Sequence, residues 1–157
     1  MTERDDEAVS KFIERFALML SEAGIPRMPA RVFVGLLASD SGQLTAGELA
    51  ELLSVSPAAV SGAVRYLTQV HLIVREREPG SKRDHYRVRG SSWYESAADR
   101  SRLLALWSDA LTEGVTAVGP DTDAGARLRE SVEFFEYLQV EIPLVLDRWR
   151  RSRNVAN

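Results

Sequence analysis

A mainly α-helical chain with one small β wing is what the sequence predicts, and three observations predict it. Apolar residues recur at helical spacing over most of the 157 residues. Two helix-start signals follow one another across a short gap at Ser54 and Val55. A single pair of branched, charge-alternating segments flanks a Pro79-Gly80-Ser81 turn. Apolar residues make up 45% of the chain, enough for a real core, and the length is that of one ordinary domain.

Val9, Phe12, Ile13, Phe16 and Leu20 stand at the i, i+3, i+4, i+7 and i+11 spacing of an amphipathic helix that should stop near Gly24. After Pro26 and Pro29, residues Arg31 to Ser39 carry Val32, Phe33, Leu36 and Leu37 on one side of a second helix. Proline is well tolerated in a first helical turn. Thr45-Ala46-Gly47-Glu48 fits a capping box, in which the Thr hydroxyl takes the third helical amide and the Glu reaches back to the cap amide. It predicts a third helix from about Ala46 to Leu53. Ser56-Pro57 repeats the start signal and predicts a fourth helix from Pro57 to about Val70. The link Ser54-Val55-Ser56 has the spacing of a helix-turn-helix.

Leu72 to Arg77 and His85 to Arg89 read as two strands joined by the Pro-Gly-Ser turn. A two-stranded hairpin behind a helix-turn-helix is a wing. Ser92-Trp93-Tyr94-Glu95 is a second capping box, opening a helix to about Val118 with Leu103, Leu104, Trp107, Ala110, Leu111 and Val115 at helical spacing. Gly119-Pro120-Asp121 breaks it. A last helix starts near Thr122 and carries Leu128, Val132, Phe135, Leu138 and Ile142, with a kink expected at Pro143 before Leu144 to Arg150. The fold class is therefore mainly α with a small β wing, a winged helix-turn-helix with long helices at both ends of the chain.

No stretch approaches the roughly 18 apolar residues of a membrane span. The first residues, MTERDDEAVSKF, begin with acids and lack the basic start and apolar centre of a secretory signal, so a cytoplasmic protein without membrane contact is expected. With no cysteine there is no disulfide, thiolate nucleophile or thiolate metal site. Two histidines, His71 and His85, without cysteines or clustered carboxylates favour no metal, and no cofactor is expected. Glu130, Glu133 and Glu136 at i, i+3 and i+6 read as a solvated face rather than an acid/base pair. Gly114, Gly119 and Gly125 read as helix breaks rather than a phosphate loop. The chain is not expected to be an enzyme.

A formal net charge of -3 counts, on its face, against a nucleic-acid partner. The way the charge is distributed points the other way. Arg65, Arg75, Arg77, Lys82, Arg83, Arg87 and Arg89 face only Glu76, Glu78 and Asp84 in the same stretch, so a basic segment is set in an acidic body. The fourth helix has a buried stripe of Val60, Ala63, Val64 and Leu67, with Ala58, Ser61, Gly62, Arg65 and Gln69 opposite. Small residues let a helix enter the major groove, and Gln and Arg can bond base edges. Lys82 and Arg83 at the wing tip, with Arg77 and Arg87 on its strands, can meet phosphate or a minor groove. An ordinary solvated face and a charged hairpin tip are the plain readings of each part alone; helix-turn-helix and basic hairpin in succession are more specific than either.

The segments LTAGELAELLSVSPAAVSGAVRYL and LIVREREPGSKRDHYRV, and more loosely FFEYLQVEIPLVLDRW, resemble the MarR family of winged-helix regulators, and within it the GbsR-like subgroup. The resemblance implies one domain over 1–157, with a DNA-binding lobe at 28–90 and helical dimerisation regions at 1–25 and 92–153. It implies a homodimer on double-stranded DNA, joined through first and last helices and acting as a regulator open to a small-molecule effector. By position it places Ser56, Ser61, Arg65 and Tyr66 on the recognition helix and Lys82 and Arg83 at the wing tip; together with the residues read above, Thr45, Ser56, Ala58, Ser61, Gly62, Arg65, Tyr66 and Gln69 form the helix-turn-helix side of the expected DNA contact. Arg77, Ser81, Lys82, Arg83 and Arg87 fall on the wing. His71 stands where such proteins commonly have Gly, at a position that often needs a left-handed backbone. Trp93, Tyr94, Trp107, Phe134, Phe135 and Tyr137 suit either an effector pocket between lobe and dimer helices or plain core and dimer packing. A winged-helix module that binds protein instead of DNA is the competing function.

Overall fold

The computed structural model describes residues 4–90 and 93–155. The elements run α1 Asp6–Glu22, α2 Arg27–Leu37, β1 Gln43–Thr45, α3 Ala46–Leu53, α4 Pro57–Gln69, β2 Ile73–Arg77, β3 Asp84–Val88, α5 Trp93–Ala98, α6 Ser101–Val118 and α7 Asp123–Val155. They fall into two compact units, residues 1–93 and 94–157.

In the first unit, local chemistry sets most boundaries. The Asp5 carboxylate accepts the Ala8 amide at 3.0 Å and so starts α1. Both halves of the Thr45–Glu48 capping box are present, with Glu48 N–H to Thr45 Oγ1 at 3.2 Å and Thr45 N–H to Glu48 Oε2 at 2.9 Å. Ser56 Oγ accepts the Ala59 amide at 3.2 Å, and Pro57 occupies the first turn of α4. The second helix begins at Arg27 rather than Arg31, because Pro26 supplies the extended residue before it and Pro29 fits within its first turn.

The central element is α2, which packs against α1, α3 and α4. Val32, Phe33, Val34 and Leu36 on α2 are fully buried with Leu49 of α3 and Val60 and Leu67 of α4. Burying each such side chain contributes about 1.5–3 kcal/mol. Arg31 adds a polar tie, donating to Glu14 Oε1 of α1 and, at 3.0 Å, to the Leu53 carbonyl that ends α3. Trp93 sets its ring edge on Phe33, centroids 5.1 Å apart, and so closes the core.

The wing is more than the expected hairpin. Gln43–Thr45 forms a third strand, giving an antiparallel sheet of order β1-β3-β2 with Leu44 opposite Tyr86 and Arg75 opposite the same Tyr86 from the other side. Between α4 and β2, His71 has φ +62, so the left-handed position is real and a non-glycine fills it. Ser54, the residue after α3, shares that conformation at φ 52.

The second unit holds α6 and α7, with most of α5. Gly114 near Leu128, Trp107 against Phe135 and Ser108 bonded to Gln139 run in opposite order along the two helices, so α6 and α7 form an antiparallel hairpin. The expected single helix up to Val118 is two. The Asp99 carboxylate accepts the Ser101 amide at 3.0 Å and restarts the chain as α6. The Ser92 cap of the expected box lies outside the described residues. Only Gly119 among the three glycines marks a break, at φ +97; Gly114 lies inside α6 and Gly125 inside α7. A Cβ on Gly125 would overlap the Gly119 carbonyl and sit 3.1 Å from Pro120 Cα, so this glycine permits the tight turn. The last helix runs unbroken through Pro143 over 33 residues.

Candidate nucleic-acid interface

The outward face of α4 is built by the pitch that buries the opposite one. Val60, Ala63, Val64 and Leu67 turn into the core, which leaves Ala58, Ser61, Gly62, Arg65 and Gln69 exposed. Tyr66 departs from that group; it is half-buried and packs against the core. Thr45 and Ser56 lie at the starts of α3 and α4 with their hydroxyls already accepting helix amides.

Beside α4 runs a groove of about 550 Å³ that joins helix to wing, lined by Ser61, Val64, Arg65, Thr68, Gln69, Arg75 and Tyr86. Thr68, Arg75 and Tyr86 are the residues that sequence reasoning missed. Strand alternation held a signal, since Arg75 and Arg77 share a face and Tyr86 is the cross-strand partner of Arg75. The Thr68 hydroxyl donates to the Val64 carbonyl at 2.7 Å, so it is bonded to its own helix. Across the sheet, Tyr86 also borders a second recess of about 540 Å³ with Thr45, Ala46, Gly47, Glu48, Glu51, Arg83 and Asp84.

The wing cations divide into paired and unpaired. Asp84 accepts from Arg75 Nε at 2.7 Å and from Arg77 Nε at 3.1 Å, so two guanidiniums share one carboxylate. Arg87 donates to Glu76 Oε1 at 2.5 Å. The Arg75 hydrogen bond holds the Asp84 carboxyl below its ordinary range, with Arg77 helping and burial opposing. Arg87 does the same for Glu76. At the tip, Ser81 N–H donates to the Glu78 carbonyl at 3.0 Å, and Ser81 Oγ accepts the Arg83 amide at 3.1 Å. That turn holds Lys82 and Arg83 out in solvent, and among the described residues neither has a carboxylate within ion-pair distance. Arg65 on α4 is likewise exposed, with no ion-pair partner among the described residues. Among the described residues the free positive charge of this stretch is therefore on Arg65, Lys82, Arg83 and the exposed Arg89, while Arg77 and Arg87 are largely compensated.

The aromatic residues do not form one cluster. Trp93 belongs to the lobe core, whereas Trp107, Phe134 and Phe135 stack within the hairpin and Tyr94 meets Trp149. Trp107, Ala110, Leu111 and Phe135 line an apolar recess of about 390 Å³. Among the described residues no group of three His, Asp or Glu side chains is placed to hold a metal ion, and no helix is long and apolar enough to cross a membrane.

A helix-turn-helix backed by a three-stranded wing defines the class: this is the fold of winged helix-turn-helix transcription regulators. Sequence comparison gives the family of its parts. A MarR family model matches residues 23–84, and a model of MmpR5-like MarR family transcriptional regulators matches residues 91–152, so both segments are similar to MarR-family regulator sequence. A crystal structure of a transcriptional regulator superposes with TM-score 0.76 at 25% identity, covering 92% of this chain and 99% of that one. More distant likenesses include the archaeal chromatin protein TrmBL2, at TM-score 0.48 and 22% identity over 84% of this chain and 42% of that one. The regulator MepR of the Staphylococcus aureus multidrug efflux pump MepA follows at TM-score 0.43 and 16% identity, over 85% and 92%. Among curated proteins there is no significant sequence match.

Proposed function

We propose that the protein is a homodimeric, sequence-specific DNA-binding repressor of transcription, modulated by a small ligand and working in the cytoplasm. One observation carries the reading: α4 presents exposed Ala58, Ser61, Gly62, Arg65 and Gln69 next to a wing whose tip cations, Lys82 and Arg83, have no ion-pair partner among the described residues. In this reading α4 enters the major groove and Arg65 makes a base-edge contact, while the wing tip meets phosphate or the flanking minor groove. Two copies would join through residues 1–25 and 92–153, because Phe12, Leu18, Leu106, Phe134, Tyr137 and Val140 are each about half exposed or more in the single chain. Ligand modulation would use the apolar recess at Trp107 and Phe135. The GbsR-like wording of residues 44–88 belongs to the same reading.

The test separates helix from wing. Arg65→Ala should cost about 1–3 kcal/mol on a selected operator and little on scrambled DNA. Lys82→Ala or Arg83→Ala should weaken binding to all sequences alike and lower the log-log salt slope by about 0.9 for each phosphate no longer neutralised. Titration of each variant against both duplexes at several salt concentrations reads this out. A wild-type protein without operator preference and with little salt dependence would sink the reading and leave a winged-helix module that binds protein.

A further inference from the structure

We propose that the end of the α6–α7 hairpin carrying Arg148 to Arg153 is a second contact surface for the phosphates of duplex DNA, an inference that rests on the DNA-binding reading above. Two separate stretches of chain meet there. Arg150 Nε donates to Glu95 Oε2 at 2.9 Å, and Tyr94 sets its ring at 79° to that of Trp149, centroids 6.1 Å apart. This docking of α5 on α7, with the antiparallel run of α6, brings Arg100 and Arg102 to the same end as Arg148, Arg150, Arg151 and Arg153. Among the described residues of these segments, Glu95, Asp99 and Asp147 oppose them.

Arg150 is occupied, since it also bonds Asp147 at 3.1 Å and serves to fasten α5 to α7. Arg153 lies over the Trp149 ring, 5.7 Å from its centroid, an arrangement that leaves its charge uncancelled. Among the described residues, Arg100, Arg102, Arg148 and Arg151 have no carboxylate within ion-pair distance. At the turn end of the same hairpin Glu113, Asp121, Asp123, Glu130 and Glu133 outnumber Arg127 and Arg129. The hairpin is thus positive at one end and negative at the other.

Helix energetics alone do not account for the positive end. The C-terminal macrodipole is equivalent to roughly half a negative charge, which one cation satisfies. Further arginines at i and i+3, such as Arg148 and Arg151, repel and cost a few tenths of a kcal/mol per pair. A surface that disfavours itself when free and exposes guanidiniums in an arc around a helix end fits a polyanion, and a rod of closely spaced phosphates supplies the complement.

The experiment compares the full chain with Arg148→Gln/Arg151→Gln/Arg153→Gln and with the triple Lys counterpart. Anisotropy on a random-sequence duplex of about 40 bp is followed over a series of salt concentrations, with light scattering to confirm equal assembly. The Gln variant should lose about two to three per subunit from the log-log salt slope, at about 0.9 per phosphate and so about twice that for a dimer, and the Lys variant should restore it. A Gln variant with the wild-type slope overturns the proposal, as does a Lys variant that stays at the Gln level. Arginine-dependent binding to phosphatidylserine vesicles with an unchanged DNA slope also overturns it and assigns the surface to a membrane. If the wild-type chain binds no DNA at all, the functional reading itself fails; a wild-type chain that binds with a slope indifferent to these arginines removes only the second surface.

Discussion

The two units of the molecule use their apolar residues in opposite ways. In the winged lobe, Phe33, Leu36, Leu49, Val60, Leu67 and Ile73 are shielded almost completely, and four helices and a sheet share one core. In the hairpin, among the described residues, only Leu104, Ser108 and Gly125 are buried, while Leu106, Phe134, Tyr137, Val140 and Val145 are more than half exposed. The α6–α7 crossing draws on small residues and a polar pair, with Gly114 under Leu128 and Ser108 bonded to Gln139 at 3.0 Å. The lobe therefore closes a core of its own and leaves large apolar side chains exposed mainly on α1, at Phe12, Leu18 and Met19, whereas the hairpin leaves most of its large apolar side chains exposed in the single chain.

That contrast can be tested at five points. Phe33→Ala should cost about 3–5 kcal/mol, because it leaves a cavity in a closed core; denaturant unfolding measures it, and a loss below about 1 kcal/mol would mean the lobe core is not cooperative. Gly125→Ala should cost about 1–3 kcal/mol, since the hairpin turn has backbone where the methyl must go, and the drop in Tm reports it. Phe134→Ser with Tyr137→Ser should weaken self-association about tenfold or more, about 1.4 kcal/mol, in sedimentation at micromolar concentration. Unchanged association would show that the hairpin's apolar face is content in water. His71→Gly should stabilise the lobe by about 0.5–1 kcal/mol, because φ +62 strains any side chain, and a calorimetric rise in Tm checks it. The smallest effect belongs to acid. Asp84 has a depressed carboxyl pKa, so its tie across the wing is intact above the ordinary value near 3.9 and is lost as pH falls through the lower folded value. Protection of the wing amides, corrected for the intrinsic pH dependence of exchange, should fall there in the wild type but not in Asp84→Asn.

Much of the lobe was legible because its signals are local. Thr45 with Glu48 and Ser56 with Pro57 each fix a helix start within four residues, so α3 and α4 begin where the sequence says. The third strand was not legible: Gln43–Thr45 is too short to show alternation and is extended only because β3 lies beside it. The α5–α6 break carries neither Gly nor Pro, and its cause, the Asp99 carboxylate on the Ser101 amide, competes with an otherwise helical pattern. Within the candidate site, the outward set on α4 follows from helical pitch. The pairing of Arg77 with Asp84 and of Arg87 with Glu76 depends on strand register, which residue spacing alone does not set.

Thr45 is at once the last residue of β1, paired with His85, and the cap whose hydroxyl holds the first turn of α3. In mechanical terms this is a welded joint, with no free residue between β1 and α3 to act as a pivot. A torque on the wing would pass straight into α3 and, through Leu49 and Val60, into α4. On the function proposed above, the angle between reading helix and wing would then be a built-in calliper. A duplex whose grooves do not match its span would have to twist or bend to fit, so the stiffness of the DNA itself would enter the choice of site.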